Sequence, residues 1–238
     1  PVLSWGKQNN KKTFQQILIS LFLTILITIM FFLCYRGFSF YGLIGIILSL
    51  WIICNVFVTI FLAIKKDNNK NILSPIDFFK HFNSMIISHL GVGLLILGIT
   101  GSSVWQEENI TRMKVNDETT INSYNIVFKE IKKVAGPNYY ALEGNFWVYN
   151  KKNKVITVLK PQNRIYTITK STTSEVSIHT NLLRDLYIVL GDGDINEGWV
   201  VRIYNNPLVI WIWIGVLIIF SGGLLALKNN LKFLRQNN

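Results

Sequence analysis

Four long apolar runs and one region of short, alternating segments divide the chain. The runs extend from about Phe14 to Tyr35, Phe40 to Ile64, Ser84 to Val104 and Leu208 to Leu227, and none contains Asp, Glu, Lys or Arg. A helix of roughly 20 residues crosses the ~30 Å hydrocarbon layer, so each run predicts a membrane span. The first is too long for a signal peptide, lacks a small-residue cleavage site and is followed almost at once by another span. With Pro1 in place of Met, the expectation is a processed chain or a piece of something longer.

Residues 105–207 read differently. Tyr124, Ile126 and Phe128 recur at period two. Asn145-Phe-Trp-Val-Tyr149 passes through Asn150-Lys-Lys-Asn-Lys154 into Val155-Ile-Thr-Val-Leu159, a hairpin signal. Arg164–Ile168, Leu186–Leu190 and Trp199–Tyr204 continue the pattern, with turns predicted at Gly136-Pro-Asn138, Lys160-Pro-Gln-Asn163 and Gly191-Asp-Gly-Asp194. Such punctuation predicts an antiparallel sandwich or small barrel. The expected fold is an all-α transmembrane bundle of four helices with an inserted antiparallel β-rich extracytoplasmic domain. Residues 1–104 would carry three spans (about 14–35, 40–64 and 84–104), 105–207 the β domain, and 208–238 the fourth span with a basic inner tail. Trp105, Tyr204, Trp211 and Trp213 belong at the water–lipid boundary.

Half of the residues are apolar and the mean hydropathy is positive, a combination too greasy for an ordinary soluble domain that fits a membrane protein with a polar insert. The net charge of +11 changes the picture less than its size implies. Lys7, Lys11 and Lys12 precede the first span, Lys65, Lys66, Lys70 and Lys80 fill the second connection, and Lys228, Lys232 and Arg235 follow the last span. With four spans these segments share one side, which the positive-inside rule makes the inner one. The charge is therefore topological, and nucleic acid is not an expected partner. Cys34 and Cys54 both lie in apolar spans, with no disulfide framework or zinc spacing, and read as small packing residues.

The third span carries the candidate chemistry. His89 lies within Ser84-Met-Ile-Ile-Ser-His-Leu-Gly-Val-Gly93. An ionisable group carried into hydrocarbon is a functional candidate by default, and neutral imidazole suits iron or another borderline metal. The alternative is a hydrogen-bonded structural histidine. Ser84, Ser88, Gly91, Gly98 and Ser102 form a small-residue stripe that admits a close helix, and His89 projects about 100° from it. Gly93, one turn along the histidine's own face, either leaves room for a flat macrocycle or serves plain helix packing. Gly215 and Gly222 mark a second contact face.

Other candidates are weaker. His81 is eight residues away, about 12 Å along a helix, and His179 lies in the outer domain; both read as surface or capping residues. Gly191–Asp194 lacks the remaining ligands of a calcium loop. Glu107 and Glu108 read as a solvated rim or a partner contact, and Arg184-Asp185 as a local pair or charge offered to a partner. No nucleophile elbow, phosphate loop or catalytic triad is present.

Six motifs in order carry a family resemblance: Ser88-His-Leu-Gly-Val92, Gly136-Pro-Asn-Tyr139, Arg164-Ile-Tyr166, Arg184-Asp-Leu-Tyr-Ile-Val-Leu-Gly191, Val201-Arg-Ile-Tyr204 and Pro207-Leu-Val-Ile-Trp-Ile-Trp213. Together they resemble the C-terminal part of CcmF, the heme lyase component of system I cytochrome c maturation, and its relatives for nitrite reductase maturation. The resemblance implies covalent attachment of heme to apocytochrome c at CxxCH thiols, with heme arriving on the chaperone CcmE and apocytochrome through CcmH-type subunits. It implies a resident heme b, with His89 matching the family's "HLG" axial ligand and the second ligand in the N-terminal part. It places the protein in the bacterial plasma membrane or the mitochondrial inner membrane, the β domain facing the periplasm or intermembrane space. Some mitochondrial genomes encode CcmF in pieces.

This chain departs from the family pattern in lacking the tryptophan-rich WWD segment, its flanking histidines and the second heme b histidine. Gln162 replaces a common acidic residue, and Asn205-Asn206 an aromatic–basic pair. The implied role is one side of a heme b site plus a partner-docking outer domain within the heme lyase complex, without catalysis by this part alone. The alternatives are a membrane scaffold that binds subunits without heme, or a transporter subunit. The lack of other ionisable groups in the spans argues against an ion path.

Overall fold

The computed structural model describes residues 10–34, 37, 39–67 and 83–236. His81 and most of the basic second connection lie outside them. The chain divides into two units, 1–104 with 208–238, and 105–207.

The helical unit consists of α1 (Asn10–Cys34), α2 (Phe40–Asp67), α3 (Ser84–Val104) and α4 (Val209–Gln236). Each contains a stretch long and apolar enough to cross a membrane: Thr13–Leu33, Phe40–Lys65, Ser84–Val104 and Val209–Lys228. Side-chain caps set two of the starts. Ser39 Oγ accepts from the Gly42 amide and Asn83 Oδ1 from the Ile86 amide, each supplying an acceptor to a helix-end N–H. The helices pack in chain order, α1 on α2, α2 on α3 and α3 on α4, and among the described residues no other helix pair makes an extensive contact.

The second unit is a β-sandwich of ten strands, all paired antiparallel. One sheet has the order β1-β10-β9-β8: β1 (Glu107–Met113), β10 (Gly198–Pro207), β9 (Arg184–Asp194) and β8 (Ser177–Thr180). The other has the order β2-β3-β4-β6-β7: β2 (Glu118–Ile121), β3 (Tyr124–Ala135), β4 (Tyr139–Asn150), β6 (Gln162–Tyr166) and β7 (Thr172–Glu175). Strand β5 (Val155–Leu159) shares β4's edge with β6, pairing further along it.

Alternation places Ile126, Phe128, Phe146 and Val148 of one sheet against Leu186, Ile188, Leu190, Val201 and Ile203 of the other, all fully buried. Phe128 stacks on Phe146 at 4.5 Å between centroids and meets Trp199 edge-on at 5.8 Å. The tight turn between β2 and β3 holds Asn122 at φ +51°, a left-handed conformation that asparagine tolerates.

One turn differs from the sequence expectation. Gly191-Asp-Gly-Asp194 is the end of β9, and the reversal follows it. Asp194 Oδ1 accepts from the Asn196 and Glu197 amides at 2.7 and 2.8 Å, so the aspartate caps the turn from the strand side. Glycine there serves strand packing: a Cβ on Gly193 would collide with the Gly198 carbonyl and Trp199 Cα.

Candidate functional site

Helix α3, which carries the candidate histidine, lies between α2 and α4 and turns glycine toward both. Toward α4, a Cβ on Gly91 would stand 2.7 Å from the Gly215 carbonyl, one on Gly98 2.7 Å from the Ile212 amide, and one on Gly222 3.0 Å from the Ser84 carbonyl. The two small-residue faces read separately from the sequence are thus one interface. Gly101, rather than Ser102, continues it against Leu208, while the Ser102 hydroxyl donates within its own helix to Ile99.

Toward α2, Ile86 and Leu90 pack on Val56, Ile60 and Ile64. Ser49 Oγ donates to the Gly93 carbonyl at 2.8 Å, and a Cβ on Gly93 would lie 2.6 Å from Ile53. Gly93 is therefore occupied by helix packing, and the open-space reading of that glycine is withdrawn.

His89 lies one turn before Gly93, about 40° from it around the helix. It borders the row of α3 that neither neighbour covers, where Met85 and Ile99 are exposed. The ring is half-buried. Its Nδ1 lies 2.8 Å from the Met85 carbonyl, an acceptor only, so Nδ1 carries the proton. Among the described residues Nε2 has no hydrogen-bond partner. A neutral imidazole held this way points its lone pair away from the helix at Nε2. That arrangement is common in metal-bound histidine, where the second nitrogen's bond fixes tautomer and ring plane. No cluster of three or more His, Cys, Asp or Glu able to hold a metal occurs among the described residues.

The hydropathy pattern gave no warning of a polar seam between α1 and α2. Gln16 donates across to Thr59 at 2.6 Å. Ser20, Thr24, Asn55 and Thr28 are buried along the same interface, and the Ser20 and Thr24 hydroxyls donate to carbonyls one turn back. Residues at i, i+4 spacing were the available signal. Cys54 is buried there, as expected of a packing residue.

In the β unit, Arg184 and Asp185 do not pair with each other; the Arg184 guanidinium lies 5.5 Å from the Tyr124 ring centroid. Glu107 accepts from Asn122. Glu108 hydrogen-bonds Tyr204, and this bond, with lesser help from burial, raises the phenol above its usual range. Tyr204 also stacks on Tyr187 at 4.6 Å. Gln162 bridges Glu143 and Arg164, and the guanidinium of Arg164 covers the Tyr139 ring at 4.3 Å. His179 sits on β8 opposite Leu186.

Residues 104–207 match the family model described as the CcmF C-terminal beta-sandwich. The chain is 29% identical over 228 residues to the cytochrome c-type biogenesis protein CcmF of Escherichia coli K12, covering 95% of this chain and 34% of that protein. It is 32% identical over 181 residues to CcmF of Pseudomonas aeruginosa (76% and 27%). It is 29% identical over 142 residues to the biogenesis protein NrfE of Haemophilus influenzae (60% and 22%). A solved structure titled cytochrome c heme lyase CcmF shares the fold, with a TM-score of 0.67 at 14% identity, over 94% of this chain and 35% of that one. The matched part of the chain thus spans between about a fifth and a third of the length of these relatives.

Proposed function

The chain is a C-terminal part of the CcmF family, and from that premise we propose that it works within a cytochrome c heme lyase as the part that holds one face of a heme b. His89 would be one axial ligand through Nε2, and the second ligand would come from the N-terminal part of the family, which also carries the WWD segment. The observation that carries this reading is the Nδ1–H···O=C bond from His89 to Met85, which leaves the other nitrogen free on a row of α3 that α2 and α4 leave open. The donor set fits half of a b-type site: one neutral imidazole, apolar surroundings and an uncovered flank for a macrocycle. When bound, the heme would carry single electrons at a potential set by its axial ligands and local dielectric.

The outer domain would face the periplasm or intermembrane space of a bacterial or mitochondrial inner membrane and dock the CcmH-type subunit, the CcmE chaperone and apocytochrome c. Covalent attachment would require the N-terminal portion. The test is the absorption spectrum of the assembled complex: loss of the b-type band on His89→Ala supports ligation. An intact band would leave a scaffold that binds subunits without this heme.

A further inference from the structure

Both chain connections from the sandwich to the spans leave from the same end of it. Trp105 follows directly on the span Ser84–Val104, and Pro207 stands two residues before the span Val209–Lys228. Strand register places two loops at that end. Glu107 pairs with Asn205 and Arg184 with Pro207, so the β8–β9 loop lies one strand away from Pro207. The Glu107 carboxylate accepts from Asn122 in the β2–β3 turn, and Tyr124 pairs with Asn150, which brings the β4–β5 hairpin to the same end. Strands β5 and β8 adjoin across the sandwich, so the hairpin and the loop share one side. Chain connectivity alone keeps this end near a bilayer surface.

The β8–β9 loop presents Leu182 and Leu183, 63% and 65% exposed. Asn181 Oδ1 accepts from the Leu183 and Arg184 amides, closing the turn and leaving both leucine side chains outside it. The β4–β5 hairpin presents Lys151, Lys152 and Lys154, all exposed. Asn150 Oδ1 holds the Lys152 and Lys154 amides at 2.9 and 3.0 Å, and Asn153 takes φ +55°, so the lysines stand on an ordered tip. No Asp or Glu occurs between Glu143 and Glu175, and none of the three lysines makes an ion pair among the described residues.

A single exposed leucine carries no message. Two adjacent ones beside three unpaired lysines, at the end tied to two spans, match a lipid surface in both chemistry and place. The far end of β9 lies roughly 35 Å along the strand. There Ile195 is 82% exposed, but Asp194 and Glu197 share its turn, and an anionic surface would repel them. We propose that the span-side end of the sandwich rests on anionic phospholipid. Leu182 and Leu183 enter the boundary between headgroups and acyl chains, while Lys151, Lys152 and Lys154 meet the lipid phosphates. Seating of the domain then depends on lipid charge and weakens with salt.

The test is photolabelling of the assembled complex in nanodiscs of phosphatidylcholine alone or of phosphatidylcholine with phosphatidylglycerol. The probe is a phospholipid carrying a diazirine near its headgroup, and adducts are located by mass spectrometry. Adducts at Leu182–Leu183 and in the 151–156 hairpin are expected in both nanodiscs, with none at Ile168 or Ile195, the exposed isoleucines of the far end. Phosphatidylglycerol should raise hairpin labelling several-fold, and Lys151→Gln/Lys152→Gln/Lys154→Gln should remove that increase while adducts at Leu182–Leu183 persist. No adducts at the span-side loops, as when another subunit covers them, would overturn the proposal, as would equal labelling of Ile195. An increase with phosphatidylglycerol that survives in the triple variant would overturn the role of the lysines. Should the variant fail to accumulate, the unaltered complex decides by its near-end and far-end adducts. None of these readouts depends on heme.

Discussion

Gly91 of α3 and Gly215 of α4 face each other so closely that a Cβ on either would stand 2.7–2.8 Å from the other's carbonyl oxygen. The obstacle is backbone on both sides, so neither helix yields without moving as a body. Gly215→Leu should therefore separate α3 from α4. Overpacking of this kind costs about 1–3 kcal/mol, read as a lower melting temperature in detergent and reduced accumulation in the membrane. Gly223→Leu is the control: nothing lies within 4 Å of a Cβ there, and stability should not change.

The His89–Met85 bond makes a sharper forecast than loss of the b-type band alone. Because Nδ1 is committed to the Met85 carbonyl, ligation would run through Nε2, and the ring plane would be preset. His89→Ala should abolish or strongly shift the band, while adding free imidazole to the variant complex should restore part of it by supplying the missing nitrogen. Full retention of the band in His89→Ala would remove the ligand assignment.

Phe146 is fully buried and stacked on Phe128, with Trp199 edge-on to the pair. Phe146→Ala should cost about 3–5 kcal/mol, a large share of the ~5–15 kcal/mol that holds a typical domain. Urea titration followed by Trp199 fluorescence measures it. Trp147→Ala on the exposed face should cost far less.

Acid should loosen the turn after β9. The amides of Glu197 and Asn196 hold the Asp194 carboxyl below its ordinary value, with Arg112 and Lys114 adding to the effect. A carboxylate depressed in the folded state stabilises above its unfolded pKa of about 4 and loses that contribution as pH falls through the folded value. Asp194→Asn should accordingly flatten the acid limb of the melting-temperature profile below about pH 4. An identical acid limb in the variant would show that the cap contributes nothing.

Much of this architecture was legible from hydropathy and period alone. The four spans lie within two residues of the stretches of helix long and apolar enough to cross a membrane, although α4 itself runs on to Gln236; a 20-residue apolar run has no other stable form in lipid. Strands β3, β4, β9 and β10 stood out because one face of each is core. Strands β2, β7 and β8 did not: Glu118-Thr-Thr-Ile121 and Thr172-Thr-Ser-Glu175 are polar edge segments whose pairing comes from neighbours rather than from their own pattern. Gly191–Asp194 looked like a turn because glycine and aspartate favour turns, yet tertiary pairing with β10 keeps it extended. His89 was legible as a candidate, and the carbonyl four residues back follows from helix geometry. That Gly93 belongs to Ser49 and Ile53 required knowing which helix lies beside it. The α1–α2 seam was hidden because hydroxyls satisfied by their own helix barely lower an apolar run's hydropathy.

Because, among the described residues, every helix packs extensively only on its neighbours in chain order, each new span of this membrane unit docks on the span made just before it. Each span after the first finds its docking partner already in the bilayer, so assembly proceeds like laying planks, with short-range closure at each step. The two outermost planks keep a side free among the described residues, where further helices could dock.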